Sequence, residues 1–485
     1  MRNRAPAWLR LLVTVFAFAL IAAACVSSED DEGADTETES TTEEETPAEE
    51  EEEEAPAEEE EAPAEEEEEE APAEEEEAPP ALTASWTGVT EDTIQIGVTM
   101  LDFEALVSAN LSAQGWGDQI AVTEALVAEV NDNGGINGRM LEVVAYEFYD
   151  PTDPTDAERA CAAVTQDNEV FANVGGFLGP AAGTADPCIV GANETIMVGG
   201  EITRDEYAQA VAPWYQAGLN VEFQTQALFN LIVQEGLADD ARAFVMGGAN
   251  NIDQKDFVID GLAAAGIEVV GEFVIEANDG DTIGQDSESA IGMERFQAAG
   301  ANTLVIFGNP GASIRGAAAA GLTGEIAIWN NNAAGLNNLG ATITDKSVAD
   351  GVITSTGPTE DEIWDRPDFQ EECVAPVAER VPEADLRRLS EYEAGEERWF
   401  SSVRLQCQVI EIFVAIATAA GPELTHDSFR AGADSLTDFS VPVWGPSSLG
   451  PDKPFAQDVV RLGAYDSTVG TGQIVAFTEL TDAFE

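Results

Sequence analysis

Histidine is almost absent from this sequence: His426 is the single one in 485 residues. One imidazole cannot build a zinc site of three histidines and leaves little room for a Ser-His-Asp triad. No Gly-x-Ser-x-Gly elbow occurs, and Gly247-Gly248 lacks the further glycines of a dinucleotide-binding loop. Gly316 and its alanine neighbours fit helix packing better than a phosphate cradle. The sequence therefore offers no catalytic residue, no metal site and no cofactor, and we expect a protein that is not an enzyme.

Basic residues are also scarce. Lysine and arginine together number 20 against 94 acidic residues, which gives a formal charge of −74. A surface of this sign repels nucleic acid and anionic membranes, so neither is expected as a partner. The stretch from Glu29 to Glu77 holds about 30 of the acids, and the rest of the chain still carries a charge near −45. Such a surface is typical of proteins that work in salty media, where ions screen the self-repulsion.

The N-terminus has no hydrophobic run long enough to cross a bilayer comfortably. Three arginines precede an apolar stretch from Leu11 to Ala24, and Cys25 follows directly. This order predicts a signal peptide over residues 1–24. The small residues before Cys25 resemble a lipobox, in which the cysteine is lipidated, although Ala22 replaces the usual leucine. An ordinary secretory signal with an incidental cysteine is the alternative. We expect a lipid anchor at Cys25 on the outer face of the cytoplasmic membrane.

Residues 25–85 contain few apolar side chains and repeat blocks of Ala-Pro-Ala-Glu. A segment of this composition cannot bury enough surface to offset the entropy of ordering, and its like charges extend it. The sequence predicts a disordered tether that holds the folded part away from the membrane.

Four cysteines remain in the folded part, namely Cys161, Cys188, Cys373 and Cys407. An even number in an exported chain indicates disulfides, and three pairings are possible. The pairing of neighbours, Cys161–Cys188 with Cys373–Cys407, is the local one and is the one we predict.

Short apolar runs alternate with helix-patterned segments from Ile94 onward. This alternation predicts α/β architecture with parallel sheets covered by helices on both faces. Ligands of such folds gather where the strands end. The spaced aspartates from Asp150 to Asp156 lack the glycine and final glutamate of a calcium loop, and we expect them to cap a helix instead.

The most specific stretch joins a predicted helix to a predicted strand. It reads Asn131-Asp132-Asn133-Gly134-Gly135-Ile136-Asn137-Gly138-Arg139. Locally it is a helix end and a turn. Together with the strand and Asp-Pro loop that follow, it resembles the first βαβ unit of the branched-chain amino acid and amide binding proteins, the type I solute receptors of ABC importers.

That resemblance implies two Rossmann-like lobes joined by three hinge crossovers, a type I periplasmic binding protein fold. On this basis we expect the first lobe at 86–210 with a return at 351–425, and the second lobe at 211–350. The remaining segment, 426–485, is expected to return to the second lobe and form the tail. The bridge Cys161–Cys188 is similar to one that many relatives carry.

In relatives, the ligand contacts come from loops at the strand ends, and the matching positions here define the expected site. In the first lobe they are Trp116, Phe177, Leu178, Gly179, Gly200, Glu201 and Thr203. In the second lobe they are Asn250, Asn251, Asn309 and Asn331. Trp116 is equally explained as a core residue, and Glu201 as a rim charge. A buried ammonium without a counter-charge is costly, so a zwitterionic amino acid is expected only if Glu201 faces the cleft. Otherwise a neutral amide, urea-type compound or polyol fits better.

The function that this resemblance implies is capture of a small polar solute by hinge closure, with delivery to an ABC permease in the membrane. We expect a monomer with no nucleic-acid partner. Two alternatives remain open at this point: an extracellular sensor subunit of the same fold, and a secreted hydrolase, against which the missing nucleophile and base argue.

Overall fold

The computed structural model describes residues 82–108, 114–151, 153–177, 181–278, 281–337, 339, 343–393, 395–469 and 472–482. The predicted signal peptide, the lipidation site Cys25 and the tether up to residue 81 lie outside the described residues. Two of the predicted site residues, Leu178 and Gly179, also lie outside them.

The first part of the chain builds a five-stranded parallel sheet with the order β2-β1-β3-β4-β5. Two of its helices begin at aspartate caps: Asp118 accepts a hydrogen bond from Ala121 N, and Asp153 from Thr155 N. The expectation that the aspartates from Asp150 to Asp156 cap a helix is confirmed by Asp153. The elements are β1 (Thr93–Leu101), α1 (Phe103–Ser108), α2 (Gln119–Asp132), β2 (Met140–Tyr149), α3 (Pro154–Ala162), β3 (Ala172–Gly175), α4 (Ala182–Asp186), β4 (Ile196–Gly199), α5 (Arg204–Gln209) and β5 (Trp214–Tyr215).

A second α/β series then follows in the chain. Its elements are α6 (Val221–Gln234), β6 (Arg242–Gly248), α7 (Asp253–Ala264), β7 (Glu268–Ile275), α8 (Thr282–Ala298), β8 (Thr303–Phe307), α9 (Gly311–Ala319), β9 (Ala327–Asn330), α10 (Ala333–Asn337) and β10 (Ile353–Thr356).

The last part of the chain contributes to both lobes. Its elements are α11 (Glu360–Trp364), α12 (Ala375–Arg380), α13 (Trp399–Ala419), α14 (His426–Ser435), β11 (Phe439–Val441), β12 (Gly445–Ser447), β13 (Val459–Asp466), β14 (Gln473–Ala476) and β15 (Thr481–Asp482). The second sheet has the order β14-β13-β10-β9-β8-β6-β7, with β15 beside β13. The predicted α/β class with two sheet-based lobes is therefore confirmed.

The lobe boundaries differ from the sequence expectation in two places. Strand β10 was expected in the first lobe, but it pairs with β9 and β13 in the second sheet. Helix α14 was expected with the second lobe, but Phe429 and Ala433 are buried in the first-lobe core. The reason is packing: Phe429 lies between Phe171 and Phe413, with ring centroids 5.9 and 5.8 Å away. Sequence periodicity identifies such helices and strands but not the elements against which they pack.

The chain crosses between the lobes three times, at 216–220, at 357–358 and at 455–458. The first and third crossovers run side by side, since Gln216 N donates to Pro454 O at 2.8 Å and Ala456 N to Gln216 O at 3.0 Å. The Gln457 side chain accepts a hydrogen bond from Leu219 N at 3.3 Å. The crossovers thus form one connected hinge.

The motif 131–139 has a mechanical role in this fold. Gly135 has φ +70°, and a Cβ there would lie 2.0 Å from Arg139 O, so the turn requires glycine. Asn137 Nδ2 donates to Ala417 O and Thr418 O at the end of α13. Arg139, which is 1% exposed, donates to Thr90 O, Pro422 O and Thr83 O at 2.7, 2.7 and 2.8 Å. The motif therefore ties the returning helix and the start of the body to the first sheet.

Helix α13 is long and apolar enough to cross a membrane by length and composition alone, yet 72% of that stretch is buried inside the protein. It packs in the core of the first lobe, beside α2 and α14. The length and apolar composition of α13 are thus explained by its burial in the core of the first lobe.

Both predicted disulfides are present. Cys161–Cys188 and Cys373–Cys407 have Cα–Cα distances of 6.4 and 5.7 Å. The first joins α3 to the π-helical turn Pro187–Ala192, and the second joins the π-helical turn Phe369–Val374 to α13. The bridges are therefore confined to the first lobe.

Replacing Arg139 by alanine is expected to lower the free energy of unfolding by about 2–4 kcal/mol, because a buried side chain and its three hydrogen bonds to backbone carbonyls are lost. Urea denaturation measures this loss. The exposed Arg242→Ala serves as the matched control and is expected to cost less than about 1 kcal/mol. Equal losses in the two variants would show that Arg139 does not hold the motif in place.

Candidate functional site

A cavity of about 220 Å³ lies where the first sheet meets the hinge. It is bordered by the carboxyl ends of β1 to β4, by the first crossover, by α13 and by the turn before β12. Its lining residues are Thr99, Met100, Leu101, Tyr149, Gly175, Gly176, Gly199, Gly200, Glu201, Gln216, Ala217, Gly218, Leu219, Leu405, Gln408, Val409 and Trp444. The cavity thus lies at the strand ends, where the sequence predicts a ligand site.

Two pairs of glycines shape one wall of the cavity. Gly175, Gly176, Gly199 and Gly200 have φ values of +120°, +69°, +130° and +77°. A Cβ on Gly176 would lie 2.1 Å from Gly200 N, and one on Gly199 would lie 2.4 Å from Gly175 O. Side chains are excluded by both backbone angle and space. The ends of β3 and β4 therefore present bare backbone to the cavity.

Glu201 is the single charged side chain among the described residues that line the cavity. Its carboxylate is open to solvent, but the surrounding protein raises its pKa by desolvation, and the charge of Glu206 raises it further. Asp186 lies behind it, 1% exposed, with a pKa raised well above its usual range by burial and then by Glu206 and Glu201. Because the part of the chain that the structure describes places no lysine, arginine or histidine on the cavity wall, this electrostatic environment favours cations and hydrogen-bond donors over anions.

Two other polar residues on the wall have unpaired atoms. Gln408 on α13 is 7% exposed, and its Oε1 has no hydrogen-bond partner among the described residues. Trp444 Nε1 is likewise buried and without a partner in that part of the chain. Buried polar atoms without partners are rare in folded proteins and call for an explanation.

Among the predicted first-lobe residues that the structure describes, Gly200 and Glu201 line the cavity, and Trp116, Phe177 and Thr203 do not. Trp116 is 7% exposed and packs on Phe103 with ring centroids 4.4 Å apart. Phe177 is fully buried against Tyr149 at 4.6 Å. The Thr203 hydroxyl caps α5 by accepting from Glu206 N at 3.2 Å. Packing and capping account for these three positions.

The four predicted asparagines of the second lobe are not among the described residues that line the cavity. Asparagine side chains often hold turns together by hydrogen bonds, and three of these four make hydrogen bonds within the second lobe. Asn331 is 1% exposed, accepts from Gly308 N at 3.0 Å and donates to Thr225 Oγ1 at 3.0 Å. Asn309 Oδ1 accepts from Gly311 N, and Asn251 Oδ1 from Asn309 N. Asn250 is exposed on the short turn Ala249–Asn251. The structure therefore does not bring these four asparagines to this cavity.

Sequence reasoning missed the contribution of α13 and of the turn at Trp444. A signal for α13 was present, because Gln406 and Gln408 are polar residues in the middle of a mostly apolar helix. A polar residue inside such a helix indicates either the edge of the core or contact with a ligand, because burying a polar group without a partner is costly. For Trp444 no comparable signal exists, since its position depends on how the hinge folds.

Comparison with known proteins agrees with this architecture. A family model described as periplasmic binding protein matches residues 112–466. No curated protein matches the sequence at a significant level.

Among solved structures, an ABC transporter substrate-binding protein from Desulfitobacterium hafniense in complex with Leu is 14% identical with a TM-score of 0.52; 79% of this chain and 100% of that one are covered. One from Sphaerobacter thermophilus is 18% identical, with a TM-score of 0.50 and coverage of 81% and 99%. A fatty acid ABC transporter substrate-binding protein from Thermomonospora curvata is 16% identical, with a TM-score of 0.50 and coverage of 82% and 94%. At these identities the likeness shows the fold.

The glycine wall can be tested with Gly176→Ala. We expect this variant to lose about 2–4 kcal/mol of unfolding free energy, because the new methyl group meets the Gly200 backbone and φ is unfavourable for alanine. Gly248→Ala is the control, since Gly248 has φ −84° and nothing within 4 Å of the added Cβ. Chemical denaturation compares the two, and a Gly176→Ala variant as stable as the control would refute the close approach of the strands.

The carboxyl group of Glu411, on α13, gives a pH-dependent prediction. Burial, and secondly the charge of Glu372, raises the pKa of Glu411 to about 7. The folded state thus binds the proton more tightly than the unfolded state. The contribution of Glu411 to the free energy of unfolding is therefore greatest below the ordinary pKa near 4.5. This contribution falls as the pH rises to about 7 and changes no further above that.

Glu411→Gln is therefore expected to match the wild type at acid pH and to exceed its stability by about 1–3 kcal/mol at alkaline pH. Denaturation at several pH values measures the difference. The exposed Glu325→Gln controls for the general loss of negative charge. A constant difference at all pH values would contradict the assignment to Glu411.

Proposed function

Because this chain belongs to the periplasmic binding protein family, we propose that it is the solute receptor of an ABC importer. It captures a small polar solute and delivers it to a membrane permease without chemical change. The observation that carries this proposal is the cavity, which is lined by strand ends and by the first crossover of the hinge. A solute held there contacts the parts of the fold that link the lobes.

The cavity limits the size and charge of the solute. A volume of about 220 Å³ corresponds to about seven water molecules at roughly 30 Å³ each. This size suits an amino acid, an amide or a urea-like compound and is too small for a long acyl chain. A ligand carboxylate would meet Glu201 and no cation, whereas an ammonium or amide N–H would find an acceptor there. We therefore infer a neutral or cationic solute that is rich in donors.

Closure about the hinge follows from the way the lobes are connected. We propose that one rigid body comprises residues 86–215 and 359–454, and the other residues 221–356 and 459–482. A ligand that contacts both bodies only when they approach stabilises the closed form, so binding shifts the population toward it. We propose further that the protein acts as a monomer and that a lipid on Cys25 keeps it at the outer face of the cytoplasmic membrane.

A thermal-shift panel tests the proposed solute class on the full chain. The panel contains urea, acetamide, L-leucine, glycerol and 4-hydroxybenzoate. A compound of the right class raises the melting temperature as its concentration increases. At a concentration a hundred times its dissociation constant it adds about 2.7 kcal/mol to the free energy of unfolding. We expect stabilisation by an amide, urea or amino acid and none by 4-hydroxybenzoate.

Glu201→Gln separates charge recognition from general binding. For a ligand with an ammonium group we expect this variant to weaken binding by about tenfold or more, because a charge-assisted hydrogen bond is lost. Glu91→Gln, an exposed change in the same lobe, should leave binding unchanged. Stabilisation by the anionic 4-hydroxybenzoate alone would contradict the proposed solute class.

A further inference from the structure

An ion pair joins the two bodies beside the second crossover. Arg461 lies on β13 of the second body and is 8% exposed. Its Nη1 donates to Glu362 Oε1 at 2.9 Å, and its Nη2 donates to Glu362 Oε2. Glu362 belongs to α11 of the first body. A guanidinium that donates to both oxygens of one carboxylate fixes the distance and the orientation of that partner. The pair therefore depends on the angle between the two bodies.

The carboxylate of Glu362 is held in place by its own helix. Thr359, the first residue after the crossover, caps α11: its hydroxyl accepts from Glu362 N at 3.3 Å, and Glu362 Oε2 accepts from Thr359 N at 2.8 Å. The hydrogen bond from Arg461 is the main reason that the pKa of Glu362 lies below its usual range. The acceptor is thus charged at neutral pH and oriented before the arginine reaches it.

The pair also holds the chain on both sides of the crossover. The backbone of Arg461 lies opposite Thr356, the last residue of β10, while its side chain binds α11, the first helix after the crossover. The crossover itself consists of Gly357 and Pro358. Rotation of one body against the other requires dihedral changes at such residues. Proline fixes its own φ, so Gly357 is the residue there that can change most, and the ion pair resists that change.

The second body does not line the cavity in this conformation. All the lining residues come from the first body and the first crossover, and none lies in the described parts of 221–356 or 459–482. Closure about a solute brings the second body to the cavity and changes the angle between the bodies. The ion pair is therefore a contact of the open form, and closure disrupts its geometry.

We propose that Arg461 and Glu362 form a lock that stabilises the open form of the receptor and is released when a solute closes it. This inference rests on the proposed function and adds a determinant of its affinity that lies outside the cavity. Because the closed form holds the solute with both bodies, the apparent dissociation constant rises as the fraction of protein able to close falls. The lock thus weakens binding without touching the solute.

The distance between the bodies tests the lock without any solute. Spin labels on unnatural amino acids that replace Glu91 and Glu325, which are exposed on the first and second bodies, report this distance in the full chain by double electron–electron resonance. We expect one main distance in the wild type. In Glu362→Gln a second distance should gain population about threefold or more relative to the first, because a charged hydrogen bond is lost. Glutamine still completes the capping box with Thr359, so the cap is kept.

A second variant separates the lock from folding. Glu362→Gln leaves a buried arginine without its carboxylate, which by itself destabilises a protein. The double variant Glu362→Gln/Arg461→Met removes both charges, and we expect it to melt at or above the wild-type temperature and to show the second distance as well. Glu360→Gln is the matched control, since Glu360 is exposed in the first turn of the same helix. It should keep the wild-type distance.

Acetamide and L-leucine, both from the panel above, give the second readout by calorimetry. For each of them that binds the wild type, the dissociation constant should be about threefold or more lower in the double variant and unchanged in Glu360→Gln. A wild-type distance distribution in both lock variants overturns the inference, as does an affinity no tighter than that of the wild type. If neither compound binds any variant, the proposed solute class is contradicted, while the distances still decide whether the lock exists.

Discussion

The close approach of β3 and β4 at their carboxyl ends is the constraint on which the rest of the site depends. Four glycines with positive φ let the two backbones turn away from the sheet within contact distance of each other, and no side chain fits between them. Because this wall carries no side chains, space remains beside it, and this space is the cavity. Apart from Glu201, which directly follows Gly200, polar side chains reach the cavity from α13, from Trp444 and from the first crossover.

The same constraint makes the cavity depend on the segment that returns to the first lobe and contains α13. The motif around Arg139 holds the end of α13 through Asn137 and the loop after it through Arg139, while the disulfide Cys373–Cys407 fixes its middle. A helix held in this way brings Gln408 to the wall of the cavity. A sequence element recognised as a family mark is therefore also the part that fixes one wall of the cavity.

The architecture could be predicted from the sequence because it depends on local and repetitive signals. Alternating apolar runs identified the strands, capping aspartates the helix starts, and the Gly-Gly-Ile-Asn-Gly-Arg turn the fold. The cavity wall depends on distant packing instead. Asn331 resembles a ligand residue by position, yet it binds Gly308 and Thr225 of its own lobe. Gln408 and Trp444 lie far from the strand-end loops in sequence, and only the folding of the hinge brings them to those loops.

The most direct measurement of the central claim is a co-crystal structure of the protein with the solute that most raises its melting temperature. This account predicts electron density for the solute beside Gly175, Gly176, Gly199 and Gly200, within hydrogen-bond distance of Glu201 and closed in by α13. Density bound instead by Asn250, Asn251 and Asn309 of the second lobe, with the cavity at the hinge still empty, would contradict it.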